Sequence, residues 1–445
     1  MAGPGRSPSR TARIRRLARE APAAAAAELA ALLRDRFDLE AEEIRPTLDA
    51  YALNSLSGTF RARGRDWFFK FHQEEGEESG PGEYYRARLL ADAGLPVDLP
   101  AFASTEPGEQ LLVYPRRTWP RFADLLRRLD LDSDTAAMAH ALALEAGLCE
   151  RLLAVYRRTL HPIGPEQAAA EPVHRLFHAR LTDPMPDGSR RYPGGRLASF
   201  YLGREVELPG ARLAFEDLAR RRWRIDGREH RDSLADLFDR AAERLAPERL
   251  ADAGGVSAHG DAHAANLWID PERGLVLFDP AFAGAHLPTL LAEIKPTFHN
   301  TLAHPFWLYE PFEAAARFRV EIRLAPGAIE FVTDWRPSPI RRALLRVKAL
   351  RLWRPLLGLL AERGLLPPDW RETVRLALFL CPTLVMSLRA GPERPPVASA
   401  IGFAVAVAAG SPAEDGADLV SRFLDAIDPA LDGAAAAHIW PEEVP

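Results

Sequence analysis

Two short apolar runs, Leu267-Trp268-Ile269 and Leu275-Val276-Leu277-Phe278, flank Asp270-Pro271-Glu272-Arg273-Gly274, a stretch rich in turn-forming residues. Such a pattern folds back on itself as a hairpin and ties whatever precedes its first strand to whatever follows its second. The preceding segment is His259-Gly260-Asp261-Ala262-His263-Ala264-Ala265-Asn266, and the following residue is Asp279. The hairpin is therefore expected to deliver Asp279 beside Asn266, while Asp261 shares a loop with Asn266. Magnesium prefers hard oxygen ligands and keeps several waters, so one carboxylate, one amide oxygen and substrate phosphates suffice to hold it. The spacing also fits a phosphoryl-transfer template, in which an Asp that accepts a hydroxyl proton stands five positions before a metal-holding Asn.

The bulk properties allow this chemistry and exclude others. With 445 residues, 47% hydrophobic and 27% charged, the chain can build two or three cored lobes. Its formal charge of -5 gives no cationic footprint for nucleic acid or an anionic membrane. The apolar stretches 376–388 and 397–409 are each shorter than the roughly 20 residues that cross a bilayer, and read as buried helices. The two cysteines, Cys149 and Cys381, lie far apart in apolar helical contexts, which argues for a reducing cytoplasmic setting and against a disulfide framework.

Along the chain, residues 1 to 21 read as an Arg-containing flexible arm and Pro22–Phe37 as an Ala-rich helix. A strand-rich segment follows. It runs through Ser57-Gly58-Thr59, turns at Arg63-Gly64-Arg65-Asp66 and continues as the aromatic strand 67–72. Alternation places Trp67, Phe69 and Phe71 on one face of that strand and Lys70 on the other. A helix from Glu83 to Ala93 ends at Gly94, and the strand Gln110–Tyr114 is broken by Pro115. Beyond this point the pattern is mostly helical, with Phe122–Leu129 and Ala136–Leu160 at helical spacing and 164–231 as an irregular insertion.

A sheet lysine, a helix glutamate, a His-Gly-Asp-x-x-x-x-Asn loop and an apolar hairpin ending in Asp resemble the aminoglycoside phosphotransferase and choline kinase-like superfamily of small-molecule kinases. The likeness spans roughly residues 45 to 300. It implies an α+β, two-lobe protein-kinase-like fold with a small antiparallel-sheet N-lobe and a large, mainly helical C-lobe. The corresponding divisions are 1–44 for the arm and helix, 45–115 for the nucleotide lobe, 116–340 for the C-lobe with its insertion, and 341–445 for a helical extension. It further implies magnesium-dependent transfer of the γ-phosphate of ATP or GTP to a hydroxyl of a small molecule.

Matched residue by residue, Asp261 is the implied catalytic base, Asn266 and Asp279 the implied magnesium ligands, and His259 a support for the loop. Lys70 matches the strand lysine that touches the nucleotide phosphates and Glu83 its helix partner, while Ser57, Gly58 and Thr59 occupy the place of the nucleotide loop. The adenine is expected against 113–116, between the lobes, and the acceptor against the 164–231 insertion and the helices after Asp279. The chain has no G-x-G-x-x-G, and its Asp279-Pro280-Ala281 is similar to the Asp-Pro-Ala of fructosamine kinase-like proteins.

Two other readings compete. His259, Asp261 and His263 have the spacing of a metallohydrolase cluster, in which imidazole and carboxylate hold zinc and activate water; a kinase-like protein that binds nucleotide without transferring phosphate is the other. The basic run Arg220–Arg224 is a candidate for an anionic substrate or a solvated face, and 299–309 a candidate wall of the acceptor site or part of the core.

Overall fold

Trp67, Phe69 and Phe71 are buried while Phe68 and Lys70 are only partly so, the alternation that a strand with one covered face requires. The computed structural model describes residues 9–47, 56–71, 83–132, 134–415 and 418–432. These fall into two units, one formed by the residues up to Asp92 with Pro96–Trp119 and Phe278–Ala281, the other by Ala93–Leu95, Pro120–Leu277 and the chain from Phe282 onward. The organisation is the expected α+β one, with a small antiparallel sheet in the first unit and a mainly helical second unit.

In the first unit, α1 (Arg10–Glu20) and α2 (Pro22–Phe37) precede β1 (Glu42–Thr47), β2 (Ser57–Ala62) and β3 (Arg65–Phe71). Helix α3 (Glu83–Asp92) then leads to β4 (Phe102–Ser104) and β5 (Leu111–Pro115), and the antiparallel sheet order is β1-β2-β3-β5-β4. The covered face of β3 belongs to a cluster that includes Ile14 and Ala18 of α1, Leu29, Leu32 and Leu33 of α2, and Phe60.

The arm expected over 1–21 is thus corrected for residues 10–20. Ser9 caps α1 by accepting the Ala12 amide, Ile14 and Ala18 are buried four apart on one stripe, and Arg10 pairs with Asp35 at 2.9 Å.

The second unit begins with α4 (Phe122–Leu129) and α5 (Thr135–Thr159), the latter burying Ala141, Glu145, Leu148, Leu152 and Tyr156. Helices Trp370–Val385 and Pro396–Gly410 are buried along nearly their whole length, as the two apolar stretches required. Among the described residues no helix is long and apolar enough to cross a membrane.

The 164–231 segment is not irregular. It carries short helices and hairpins, and its strand Arg222–Ile225 lies parallel to Ala328–Thr333 in a four-stranded sheet with Val320–Ala325 and Arg228–Glu229. Residues Arg222–Arg224 of the basic run are part of that sheet, and Arg220 closes the helix before it. Trp223 is buried, Arg224 pairs with Glu229 and Glu330, and Arg221 donates to the Ala325 carbonyl at 2.8 Å.

Candidate active site

The loop from His259 to Asn266 is fixed by its own backbone. Gly260 has a φ of 77°, and a Cβ there would come 2.8 Å from the Phe282 carbonyl oxygen, so both handedness and space require glycine. This turns the chain sharply before Asp261. The Asp261 amide donates to His259 Nδ1 at 3.3 Å, so this ring braces the turn.

Asn266 Nδ2 donates to the Asp261 carbonyl at 2.9 Å. A carbonyl can only accept, so this contact fixes the amide orientation and leaves Asn266 Oδ1 as the remaining acceptor. The hairpin runs Leu267–Asp270 against Gly274–Leu277, with Trp268 opposite Val276. Asp270 closes its turn by accepting the amides of Glu272 and Arg273 at 2.9 and 3.1 Å.

A buried network holds the loop from beneath. Asn300 Oδ1 accepts the Ala264 amide at 2.7 Å, and the Asn300 carbonyl accepts Arg341 Nη1 at 3.0 Å. Arg341 in turn forks onto Asp130, with Nη2 at 2.6 Å from Oδ2 and Nε at 2.9 Å from Oδ1, and Ser338 donates to the same carboxylate at 2.6 Å. Both charged side chains are almost fully enclosed, so either one left alone would be an unpaired buried ion.

The Asp261 carboxylate faces a cationic interior. Its Oδ1 is buried without a hydrogen-bond partner, Lys295 Nζ lies 3.9 Å from it, and His263 Nε2 is 3.8 Å from Oδ2. Lys295 is itself buried and donates to His299 Nε2 at 2.7 Å. That makes Nε2 the acceptor and leaves Nδ1–H to donate to the Tyr309 hydroxyl. Burial holds His299 well below the ordinary histidine value, reinforced by Lys295, which agrees with a neutral ring. Burial also lowers Lys295, and the Asp261 charge opposes that shift.

In the first unit, Lys70 Nζ lies 2.5 Å from Asp279 Oδ1, and β3 pairs Lys70 with Ser57 on one side and Leu112 on the other. Asp279 has a φ of 57°, a left-handed conformation that Asp tolerates better than most residues but that strains any side chain with a Cβ. Arg86 of α3 donates to the Ala281 carbonyl at 2.7 Å, just beyond Asp279.

Ser57, Gly58 and Thr59 lie inside β2 and not on a loop, which corrects the expectation of a nucleotide loop there. A Cβ on Gly58 would come 2.4 Å from the Arg45 carbonyl oxygen and 2.7 Å from the Phe69 ring, so this glycine serves sheet packing. Glu83 opens α3; its side chain lies outside the described residues, as does His72.

The metallohydrolase cluster does not form. His259 is used toward the Asp261 amide, and among the described residues no group of three or more His, Cys, Asp or Glu is arranged to hold a metal. Sequence reasoning missed Lys295, Asn300 and the Asp130–Arg341 pair. A lysine inside the apolar run Leu290–Phe298 was the one signal on offer, since lysine is rarely buried without a reason.

No protein-family model matches the chain, and no curated protein matches it. Among solved structures, it is similar to a spectinomycin phosphotransferase in complex with ADP and spectinomycin, at 12% identity over 86% of this chain and 98% of that one, with a TM-score of 0.29. It is likewise similar to the AMP-bound complex of spectinomycin phosphotransferase, at 12% identity over 85% of this chain and 98% of that one, with a TM-score of 0.31.

Proposed function

We propose that the protein is a small-molecule kinase that transfers the γ-phosphate of ATP or GTP to a hydroxyl group. The observation that carries this reading is the Asp261 carboxylate, whose Oδ1 is enclosed and has no hydrogen-bond donor although the loop around it is fully braced. A braced carboxylate lacking a donor suits an incoming hydroxyl proton, the part a base plays in phosphoryl transfer.

Lys70 supplies the cation for the nucleotide phosphates, and the left-handed turn at Asp279 orients its carboxylate. Asn266 Oδ1 in the second unit and the Asp279 carboxylate in the first are each hard oxygen donors of the kind magnesium takes. When bound, magnesium neutralises charge on the phosphates. Lys70 extends toward the phosphates, Asn266 keeps the Asp261 backbone in register, and Asp261 orients the acceptor hydroxyl and takes its proton. Because little covalent chemistry falls to the protein in such a transfer, positioning and charge supply most of the rate.

The test is transfer of labelled γ-phosphate from ATP and GTP across a panel of hydroxylated metabolites, with Lys70→Met alongside. Acceptor-dependent labelling that falls at least about tenfold in the variant is expected. Nucleotide binding with no turnover on any acceptor would favour the non-transferring kinase-like protein instead.

A further inference from the structure

The side chains around Asp261 carry an excess of positive charge. Lys295 is buried and satisfies one of its three donors on His299, while its ammonium stays 3.9 Å from Asp261 Oδ1, beyond hydrogen-bond reach. Arg180 comes from the insertion, in the short helix His178–Arg180. Its Nη1 is buried, and among the described residues its guanidinium has no hydrogen bond and no ion pair.

Arg180 and Lys295 both feel Asp261, Arg196 and Cys381 electrostatically, so these five groups share one interior region of the second unit. Burial depresses Arg180 to about 10, with Arg196 adding to the shift and Asp261 opposing it. Arg196 is anchored at 2.9 and 2.7 Å on the carbonyls of Leu384 and Val385. The nearby carboxylate of the insertion, Asp183, is already used by the Gly195 amide at 2.8 Å and by Arg191 at 2.7 Å.

Lys295 and Arg180 thus both act on the Asp261 carboxylate, and Arg196 adds a third positive charge to the region. A guanidinium nitrogen enclosed without an acceptor is costly, and an incoming anion would relieve that cost. A cationic acceptor would meet repulsion from the same groups. Planar two-pronged recognition of carboxylate or phosphate is what a guanidinium does best.

We propose that the acceptor carries an anionic group of its own, a carboxylate or a phosphate, which Arg180 and Lys295 bind while its hydroxyl faces Asp261. The proposal rests on the phosphotransferase reading and assigns that enzyme hydroxy acids or phosphorylated alcohols in place of neutral or amino sugars. It also gives the insertion a task, since Arg180 is its contribution to the site.

The test has two arms. In the first, a non-hydrolysable ATP analogue saturates the nucleotide site, and inorganic phosphate and acetate are then titrated in separately by calorimetry. Wild-type protein is expected to bind at least one of them. Arg180→Gln should weaken that binding on the order of tenfold or more, and Arg180→Lys, which keeps the charge, should weaken it less. The preferred anion decides between phosphate and carboxylate acceptors, and absence of binding for both overturns the proposal.

In the second arm, labelled ATP is offered with hydroxy acids and sugar phosphates, neutral sugars, and amino sugars. Transfer to the anionic class is expected, with Arg180→Gln raising the acceptor KM and leaving the ATP KM within about twofold. Transfer to neutral or amino sugars, or an Arg180→Gln effect on the ATP KM instead, overturns it. If the ATP analogue itself fails to bind, the kinase reading has failed, which is distinguishable from every outcome above.

Discussion

At the residue scale, Asp261 depends on groups remote from it in sequence. Asn300 is the nearest of these. Removing its side chain leaves the Ala264 amide as a buried donor without a partner, and such a group costs about 1–3 kcal/mol. Asn300→Ala is therefore expected to lower stability by that amount and to loosen the loop, seen as a lower denaturant midpoint together with reduced kcat; an unchanged midpoint would show that the amide finds water instead. Asp261, Asn266 and Asp279 were legible because a short hairpin fixes their spacing within a contiguous stretch. Lys295, Arg180 and Asn300 were not, since nothing local indicates that Asn300 will reach back 36 positions to Ala264.

At the scale of elements, alternation and helical spacing were readable wherever one face meets the core. The aromatic strand β3, helix α2, helix α4 and the two apolar C-terminal helices follow that rule. Helix α1 was obscured by its arginines, whose charges suggested solvent although Ile14 and Ala18 mark a buried stripe between them. The Arg222–Ile225 strand was hidden for another reason. Its partner Ala328–Thr333 lies about a hundred residues later and runs parallel, so neither a tight turn nor local alternation announces the pairing.

Buried charge raises a similar difficulty. Lys348 sits between Glu145 at 2.8 Å and Glu293 at 3.7 Å, with the Tyr156 hydroxyl donating to Glu293 at 2.6 Å. In sequence each of these would pass for a solvated side chain. Burial alone would depress Lys348, and the two carboxylates outweigh it, so the lysine stays charged and joins α5 to the helix Pro339–Lys348.

For the whole molecule, histidine burial sets how the fold meets acid. His174, His178, His230, His299 and His304 are all held below the ordinary histidine value, in each case chiefly by burial. A histidine depressed in the folded state binds more protons when unfolded, so stability is full above the unfolded value near 6.5 and falls as pH drops toward the folded value. His174, lowered to about 4, contributes a loss on the order of 3 kcal/mol across that window. Denaturant midpoints are expected to stay nearly level from pH 7.5 to about 6.5 and to fall from there to pH 5, and a flat profile over the lower range would contradict the neutral burial of these rings.

The central claim concerns Asp261. The direct measurement is single-turnover transfer of the γ-phosphate from ATP to an accepted hydroxyl compound by wild-type protein and by Asp261→Asn, with nucleotide affinity measured on both. A catalytic base predicts a fall of at least about a hundredfold in the transfer rate with ATP affinity within about threefold of wild type. Transfer at the wild-type rate by Asp261→Asn would contradict it.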